Sequence, residues 1–215
     1  MAKEVGGDFY DVIPAETAAE KKRPACVVMA DVSGKGVPAA LFMALSRTVI
    51  RVNASRYANP ADVIRDANNV IWHDSESGMF VTTVYAQVDS ENRRFTYVNA
   101  GHNPPLLFRG RTHDIIQLGP TGIAVGMMEN ARYEAKDLAM EPGDIIVLYT
   151  DGVTEAINQQ DQMFGQERLQ HMVRTSKSSS AGDLLEDILE AVRSFCGDQL
   201  QSDDITLMVI RCAVR

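Results

Sequence analysis

The sequence predicts an α+β protein with antiparallel sheets, because its strand-like and helix-like segments come in separate blocks. Short apolar segments typical of strands dominate residues 79–150, and helical apolar periodicity lies on either side of them. Turn residues divide the strand block, for example Asn103-Pro104-Pro105 and Glu141-Pro142-Gly143-Asp144. A doubly wound βαβ fold would alternate single strands with single helices. The sequence contains neither a repeat nor an interdomain linker, so we expect one domain.

The N-terminal elements follow from apolar runs and turn residues. Ala15–Pro24 is polar and predicts a loop or a hairpin turn, whereas Ala25–Ala30 is an apolar run typical of a buried strand. After the glycine-rich turn Asp31–Gly36 we expect a helix with Pro38 in its first turn. The predicted apolar face of this helix comprises Val37, Leu41, Leu45, Val49 and Val52.

The same criteria predict seven further strands and three further helices. The strands are Phe80–Val88, Arg94–Asn99, Pro105–Phe108, Ile115–Leu118, Tyr133–Met140, Asp144–Thr150 and Ile205–Cys212. One helix begins at Asn59-Pro60 and has the apolar positions Val63, Ile64, Ala67, Val70 and Ile71. Another covers Phe164–Arg174. The last is capped by Ser180 and Asp183 and has the apolar positions Leu184, Leu185, Ile188, Leu189 and Val192.

Composition excludes several classes of protein. The 215 residues include 45% hydrophobic and 23% charged residues, which is enough apolar material for a core. A net charge of -8 argues against a general nucleic-acid binder. The three cysteines form no CxxC pair, which argues against a disulfide framework or a zinc site and favours a reducing compartment. The sequence has neither a membrane-spanning apolar run nor a signal-peptide pattern, so we expect a cytoplasmic protein.

Aspartates occur where predicted buried strands end, and this placement is the main functional signal. Asp8 follows two glycines, Asp31 ends the run ACVVMA, and Asp151 ends the run IIVLYT. Asp203 and Asp204 directly precede the run ITLMVI. A carboxylate at the edge of a core is partly desolvated, and either local turn contacts or a bound cation must compensate it. Each aspartate alone fits an ordinary turn, but four such sites together favour a cation.

The ligand type indicates which cation and which chemistry to expect. Oxygen donors without His or Cys favour Mg²⁺ or Mn²⁺ over zinc, and the lack of a DxDxDG loop excludes an EF-hand. Several carboxylates with open coordination positions are typical of two-metal phosphoryl chemistry.

Other motifs give weaker predictions. Gly34-Lys35-Gly36 before a helix could favour an anion, although Met29 and Gly36 stand where a Walker motif needs Gly and Ser or Thr. Ser33 lacks the GxSxG context of a nucleophile. His102 is either a structural turn residue or a catalytic group.

Five segments occur in the order and spacing of a known family. They are Val5–Val12 (VGGDFYDV), Ala30–Leu41 (ADVSGKGVPAAL), Tyr97–Leu107 (YVNAGHNPPLL), Leu148–Ala156 (LYTDGVTEA) and Ser202–Leu207 (SDDITL). Together they resemble the bacterial SpoIIE/RsbU-type PP2C (PPM) serine/threonine phosphatases. The resemblance implies an α-β-β-α sandwich of two antiparallel sheets flanked by helices. It also implies that a water bridging two Mn²⁺ or Mg²⁺ ions attacks a phosphoserine or phosphothreonine, with no covalent protein intermediate.

The resemblance assigns roles to the acidic residues. Asp31 is expected to bridge the two ions. Asp11 is expected to contact the ligand residues rather than the ions. Where the last motif has an aspartate pair, Asp203 is the better candidate and Asp204 the second. The full set of expected ligands is Asp8, Asp31, the Val32 carbonyl, Asp151, Asp203 and Asp204.

The resemblance also implies partners. The expected substrate is a phosphorylated STAS-domain (anti-anti-sigma) protein in a partner-switching pathway. We expect residues 1–215 to be the phosphatase domain of a longer protein, separated from its lead-in strand and from an upstream sensor or receiver module. The sheet edge left unpaired would favour a homodimer. Neither a nucleic acid nor a membrane is an expected partner.

The chain departs from the superfamily at one motif. The eukaryotic branch has DGHGG where this chain has Asp31-Val32-Ser33-Gly34-Lys35, so the histidine that could protonate the leaving group is missing there. Ser33, His102 or a metal-bound water are the alternatives.

Two other functions remain as alternatives. A pseudophosphatase would bind a signalling partner without turnover, although every expected aspartate is present. A nucleotide cyclase is suggested by Gly6-Gly7-Asp8-Phe9, which resembles a GGDEF motif but has Phe9 where that motif has Glu.

Overall fold

The computed structural model describes residues 6–18, 21–74, 78–178, 180–199, 201 and 203–213. These residues form eleven strands and five helices. The strands are β1 Phe9–Ile13, β2 Glu16–Ala18, β3 Lys21–Arg23, β4 Ala25–Val32, β5 Val81–Asp89, β6 Arg94–Ala100, β7 Leu106–Phe108, β8 Ile115–Gln117, β9 Lys136–Ala139, β10 Ile145–Tyr149 and β11 Leu207–Arg211. The helices are α1 Val37–Arg56, α2 Pro60–Asp74, α3 Asp151–Thr154, α4 Gly165–Thr175 and α5 Ala181–Cys196.

The first of two compact units comprises Met1–His102 and Pro120–Met140. Its main sheet has the strand order β1-β4-β5-β6-β9, and every pairing is antiparallel. Helices α1 and α2 pack against this sheet, and β2 with β3 forms a separate hairpin. Apolar side chains from both helices and the sheet form one buried cluster, which includes Phe9, Ile50, Ile64, Ile71 and Tyr85.

The second unit comprises Asn103–Gly119 and Glu141–Arg215. Its sheet has the order β11-β10-β7-β8 and is also antiparallel throughout. Helix α4 contacts β7 and helix α5 contacts β11. The buried cluster of this unit includes Leu106, Val147, Phe164, Leu169 and Ile188.

The predicted α+β class and most of the predicted elements are confirmed. The segment Ala15–Pro24 contains the β2–β3 hairpin. The last helix begins at the predicted cap, because Ser180 Oγ accepts a hydrogen bond from Asp183 N at 3.0 Å and the Asp183 carboxylate accepts one from Ser180 N. Two short elements were not predicted from the sequence, the edge strand β1 and the four-residue helix α3.

The predicted apolar face of α1 is only partly correct, because Leu45 and Val49 pack against the core whereas the other three positions are exposed. Val37 and Leu41 are 66% and 69% exposed. The buried positions are Ala39, Phe42, Ser46, Ile50, Asn53 and Ala54, a helical stripe displaced around the axis from the predicted one. Apolar residues surround most of this helix, so periodicity alone did not distinguish the side that packs on the sheet.

Among the described residues, none of the helices combines the length and the apolar character needed to span a bilayer.

Candidate active site

The first pair of candidate aspartates lies at the end of two neighbouring strands. Phe9 of β1 pairs with Ala30 of β4. Asp8 and Asp31 are the next residues on these strands, so continuing the register sets them side by side. Both are partly exposed. The geometry therefore brings two of the predicted ligands together in the first unit.

Gly7 allows the two strand ends to approach closely. A Cβ carbon at Gly7 would lie 2.9 Å from the carbonyl oxygen of Val32, which is closer than real Cβ contacts. The backbone of Val32, the other predicted ligand in this unit, is thus packed against the Gly-Gly segment that precedes Asp8. A larger residue than glycine would push these main chains apart.

The second pair lies in the second unit, where β10 ends and β11 begins. Tyr149 pairs with Leu207, and Thr150 extends the pairing because its N–H donates to Thr206 O and its Oγ1 accepts from Thr206 N, both at 3.1 Å. Asp151 then begins α3, and the adjoining Gly152 is in main-chain contact with Asp204. Asp151 and the Asp203-Asp204 pair are therefore neighbours.

Asp203 and Asp204 differ in exposure. Asp203 is exposed, and its Oδ1 accepts a hydrogen bond from Asp204 N at 2.9 Å. Asp204 is partly buried. The preference for Asp203 as a ligand stays a prediction.

Asp11 is bound by two arginines rather than placed with the other aspartates. Its side chain is 7% exposed and accepts hydrogen bonds from Arg51 at 2.7 Å and Arg47 at 3.1 Å, both on α1. Burial by itself would raise the pKa of Asp11, but the bonds from Arg51 and Arg47 outweigh burial and hold the pKa below its ordinary value. This carboxylate links β1 to α1, directly behind the segment that carries Asp8.

Ser33 and His102, the two side chains considered as proton donors, occupy structural positions. Ser33 N donates to Phe80 O at 3.0 Å, and Ser33 Oγ accepts from Phe80 N at 2.9 Å, which closes the turn after Asp31. His102 is 4% exposed, and its Nδ1 lies 2.8 Å from Thr82 Oγ1. Which group protonates the leaving group stays a prediction.

Thr82 is a site residue that sequence reasoning missed. It pairs with Asp31 across β4 and β5, and its Oγ1 lies 3.5 Å from the Asp31 carbonyl oxygen. The signal in the sequence was a polar pair, Thr82-Thr83, at the start of a mainly apolar strand. A half-exposed strand explains such a pair equally well, so the sequence alone did not single it out.

The glycine-rich turn before α1 requires glycine at two positions. Gly34 and Gly36 have φ angles of +94° and +78°, which side-chain-bearing residues rarely adopt. Helix α1 starts directly after Gly36 without a side-chain cap. The suggested anion site at this turn stays a prediction.

The donor set fits a hard divalent cation in its chemistry. All the predicted donors are carboxylate or carbonyl oxygens, which Mg²⁺ and Mn²⁺ prefer. Within the part of the chain that the structure describes, no group of three or more His, Cys, Asp or Glu side chains could by itself hold a metal ion. Each unit contributes one pair of candidates.

Comparison with solved structures identifies the fold. The chain matches the SiaA-PP2C domain of Pseudomonas aeruginosa with a TM-score of 0.81 and 22% identity, covering 96% of this chain and 81% of that one. It matches the RsbU and RsbW domains of Rv1364c from Mycobacterium tuberculosis with a TM-score of 0.78 and 24% identity, covering 96% and 55% of the two chains. The predicted PP2C-like class, two antiparallel sheets flanked by helices, is confirmed.

Sequence comparison identifies the family. The chain is 30% identical to phosphoserine phosphatase RsbU of Bacillus subtilis over 210 residues, which is 98% of this chain and 60% of that protein. The name of this relative, a phosphoserine phosphatase, agrees with the class of enzyme that the motifs predict. Residues 21–213 match the model of Stage II sporulation protein E (SpoIIE). The chain therefore belongs to the SpoIIE family and has the fold of its PP2C domains.

Proposed function

We propose that this chain hydrolyses phosphoserine or phosphothreonine in a protein, in a reaction that depends on Mn²⁺ or Mg²⁺. The observation that carries this proposal is the β1–β4 register, whose continuation from the Phe9–Ala30 pair sets Asp8 beside Asp31. The second pair, Asp151 with Asp203-Asp204, supports it. Family membership gives the class of reaction.

The proposed ligands are Asp8, Asp31, the Val32 carbonyl, Asp151, Asp203 and Asp204, and we propose two ions. A solved structure with the same fold at a TM-score of 0.64 and 18% identity, RsbX, is a complex with magnesium. When bound, the ions would lower the pKa of a water and neutralise charge on the phosphoryl group. The chain's own part is to hold the carboxylates in register at the strand ends.

We propose a phosphorylated STAS-domain protein as the substrate, in a partner-switching pathway. The support comes from the relatives: RsbU is a phosphoserine phosphatase, and in the neighbour from M. tuberculosis an RsbU domain occurs with an RsbW domain. Two further statements stay predictions. One is that residues 1–215 are one phosphatase domain with an upstream sensor or receiver module, and the other is that the protein is cytoplasmic.

A homodimer through the edge of the first sheet is part of the proposal. Strand β1 stands at the end of the strand order, and its side chains Tyr10 and Val12 are 62% and 50% exposed. An edge strand with an exposed aromatic and a β-branched residue favours pairing with another chain. Light scattering on the wild type and on Val12→Lys tests this, since lysine on the edge should reduce any dimer.

A pseudophosphatase is the second candidate. Such a protein would bind its partner with no metal-dependent turnover.

The deciding experiment is hydrolysis of p-nitrophenyl phosphate across a Mn²⁺ titration, with Asp151→Asn measured beside the wild type. We expect saturable Mn²⁺-dependent turnover and a loss of about 100-fold or more in the variant. Asp161→Asn is the matched control, because Asp161 lies in an exposed turn at φ +57°, which Asn tolerates. Turnover that does not depend on the Mn²⁺ concentration would exclude the metal mechanism. Equal turnover in Asp151→Asn and Asp161→Asn would also exclude it. A folded wild type with no turnover would favour the pseudophosphatase.

A further inference from the structure

One row of residues crosses four neighbouring strands beside the first aspartate pair. Asp31 pairs with Thr82 in the β4–β5 ladder. Thr83 pairs with Ala100 in the β5–β6 ladder, so the next step places Gly101 beside Thr82. On the other side the row continues to Asp8. His102 directly follows this row, and its ring returns to Thr82.

The ring of His102 is held in place by its own loop. The side chain of Asn99 accepts a hydrogen bond from His102 N at 2.9 Å and donates one to His102 O at 3.2 Å. Gly101 turns the chain at φ +71°, and a Cβ there would lie 3.0 Å from Ala124 N. Since Asn99 is fully buried, the position of His102 is fixed independently of its side-chain contact.

The direction of the hydrogen bond between His102 and Thr82 depends on the tautomer of His102. Thr82 Oγ1 lies 2.8 Å from His102 Nδ1 and 3.5 Å from the carbonyl oxygen of Asp31. A hydroxyl has one proton to donate, and a carbonyl oxygen can only accept. If Thr82 donates toward Asp31, then His102 must donate to Thr82 from a protonated Nδ1.

We propose that His102 is a positioning residue for the metal site. As the Nδ1–H form, it holds the Thr82 hydroxyl toward the main chain of Asp31 and so fixes the Asp31–Val32 strand end that contributes two of the proposed ligands. We call the chain of hydrogen bonds from His102 through Thr82 to Asp31 the relay. Its effect on metal binding rests on the proposed function, but the relay itself exists in the chain without metal. His102 does not touch substrate, because its ring is buried.

The first test determines the tautomer of His102 and does not depend on enzymatic activity. Long-range ¹H–¹⁵N correlation spectra of the full chain at pH 8 report which ring nitrogen of His102 carries the proton, and His102→Gln assigns the signals. We expect the Nδ1–H tautomer in the wild type. An Nε2–H tautomer would overturn the proposal, since Thr82 would then donate to His102 and not toward Asp31.

The second test measures Mn²⁺ affinity by calorimetry in variants of the relay. We expect Thr82→Val and His102→Ala to raise the dissociation constant about 10-fold. His102→Asn keeps an N–H at the position of Nδ1 and should restore affinity to within about 3-fold of the wild type. The double variant Thr82→Val/His102→Ala should be no weaker than Thr82→Val alone, because the two residues act in series.

Thr83→Val is the matched control. Thr83 follows Thr82 on the same strand, is fully buried, and donates to Met29 O at 3.0 Å. Loss of this hydrogen bond should lower the stability of the protein while leaving its Mn²⁺ affinity unchanged. Unchanged affinity in folded Thr82→Val, or additive losses in the double variant, would overturn the relay. If the wild type binds no Mn²⁺, the proposed function fails, and the tautomer still decides whether the relay exists. If His102→Ala does not fold, Thr82→Val and Thr82→Ser carry the test.

Discussion

Gly152 and Asp204 touch through their main chains: a Cβ carbon at position 152 would lie 1.9 Å from the carbonyl oxygen of Asp204. No side chain fits in that space, and the obstacle is backbone, which cannot rotate away. Glycine at position 152 therefore fixes the distance between the start of α3, where Asp151 lies, and the segment that carries Asp203 and Asp204. The TDG motif needs its glycine for this approach.

Gly152→Ala should separate these two segments. We expect a loss of stability of about 1–3 kcal/mol, because the Asp204 main chain must move, and a loss of Mn²⁺-dependent turnover. Urea unfolding and the p-nitrophenyl phosphate assay measure the two effects. Gly182→Ala is the control, because a Cβ there would meet only Ser180 Oγ at 3.7 Å within α5. It should be neutral or stabilise by up to about 1 kcal/mol. Equal behaviour of the two variants would contradict the steric argument.

The pair formed by Asp11 with Arg47 and Arg51 predicts a pH-dependent contribution to stability. Because the pKa of Asp11 is lowered in the folded state, its contribution is present above the unfolded-state value near 4 and is lost as pH falls through the folded-state pKa. Asp11→Asn should cost about 1–3 kcal/mol at pH 7, and this cost should shrink below about pH 4.

Urea unfolding of wild type and Asp11→Asn at pH 7, 5 and 3 checks that prediction. Glu141→Gln provides the comparison, since Glu141 and its partner Arg111 are 55% and 79% exposed and lie 3.5 Å apart. An exposed pair of this kind should contribute about 0.5 kcal/mol or less at any pH. A cost for Asp11→Asn that is the same at pH 7 and pH 3 would refute the assignment.

Two of the aspartate motifs could be predicted from the sequence because a buried strand ends at each of them. The apolar runs of β4 and β10 are short, β-branched and bounded by turn residues, so the positions of Asp31 and Asp151 followed directly. Strand β1 was missed because Tyr10 and Val12, on its exposed face, and the charged Asp11 break the usual pattern. The buried carboxylate of Asp11 is stabilised by Arg47 and Arg51 from α1, which are far away in sequence.

The interior of the first unit shows a second limit of pattern analysis. The buried side of α1 includes Ser46 and Asn53, and α2 buries Asn68. Polar residues at these positions suggest an exposed face when only the sequence is known. Asn68 is buried because its amide has partners in a loop about sixty residues later. Such tertiary hydrogen bonds leave no periodic signal.

That loop depends on Asn68. Its Oδ1 accepts from Gly126 N at 2.9 Å and from the Tyr133 hydroxyl at 3.1 Å, and its Nδ2 donates to Met128 O at 2.9 Å. Asn68→Ala would leave a buried N–H and a buried carbonyl without their partner, so we expect a cost of about 2–3 kcal/mol. Thermal or urea unfolding measures it.

The adjacent residue gives a matched comparison. Asn69 also bonds the loop, through Asn130, but at an exposed position. Asn69→Ala should cost no more than about 0.5 kcal/mol, because water replaces the lost bonds. If both substitutions cost the same, burial of the Asn68 amide is not what holds the loop.

Asp144 organises the turn before β10. Its side chain is 1% exposed and accepts three hydrogen bonds, from Arg109 Nη1 at 2.6 Å, Glu141 N at 2.9 Å and Gly110 N at 3.0 Å. Two of the donors are main-chain groups on turns that pack against each other, since a Cβ at Gly110 would lie 2.7 Å from Gly143 O. One carboxylate thus serves both turns.

Asp144→Ala should be among the most destabilising substitutions in the second unit, at about 3–5 kcal/mol, because it removes a buried carboxylate that accepts from the partly buried Arg109 and from two main-chain N–H groups. Asp144→Asn keeps one oxygen acceptor and should cost less. Arg109→Ala removes one donor only, so its cost and that of Asp144→Ala should not add in the double variant. Urea unfolding of the four proteins measures this coupling.

Arg111→Ala, on the same turn but exposed, should change stability by about 0.5 kcal/mol or less. Additive costs for Asp144 and Arg109 would mean that the carboxylate acts through the main chain alone.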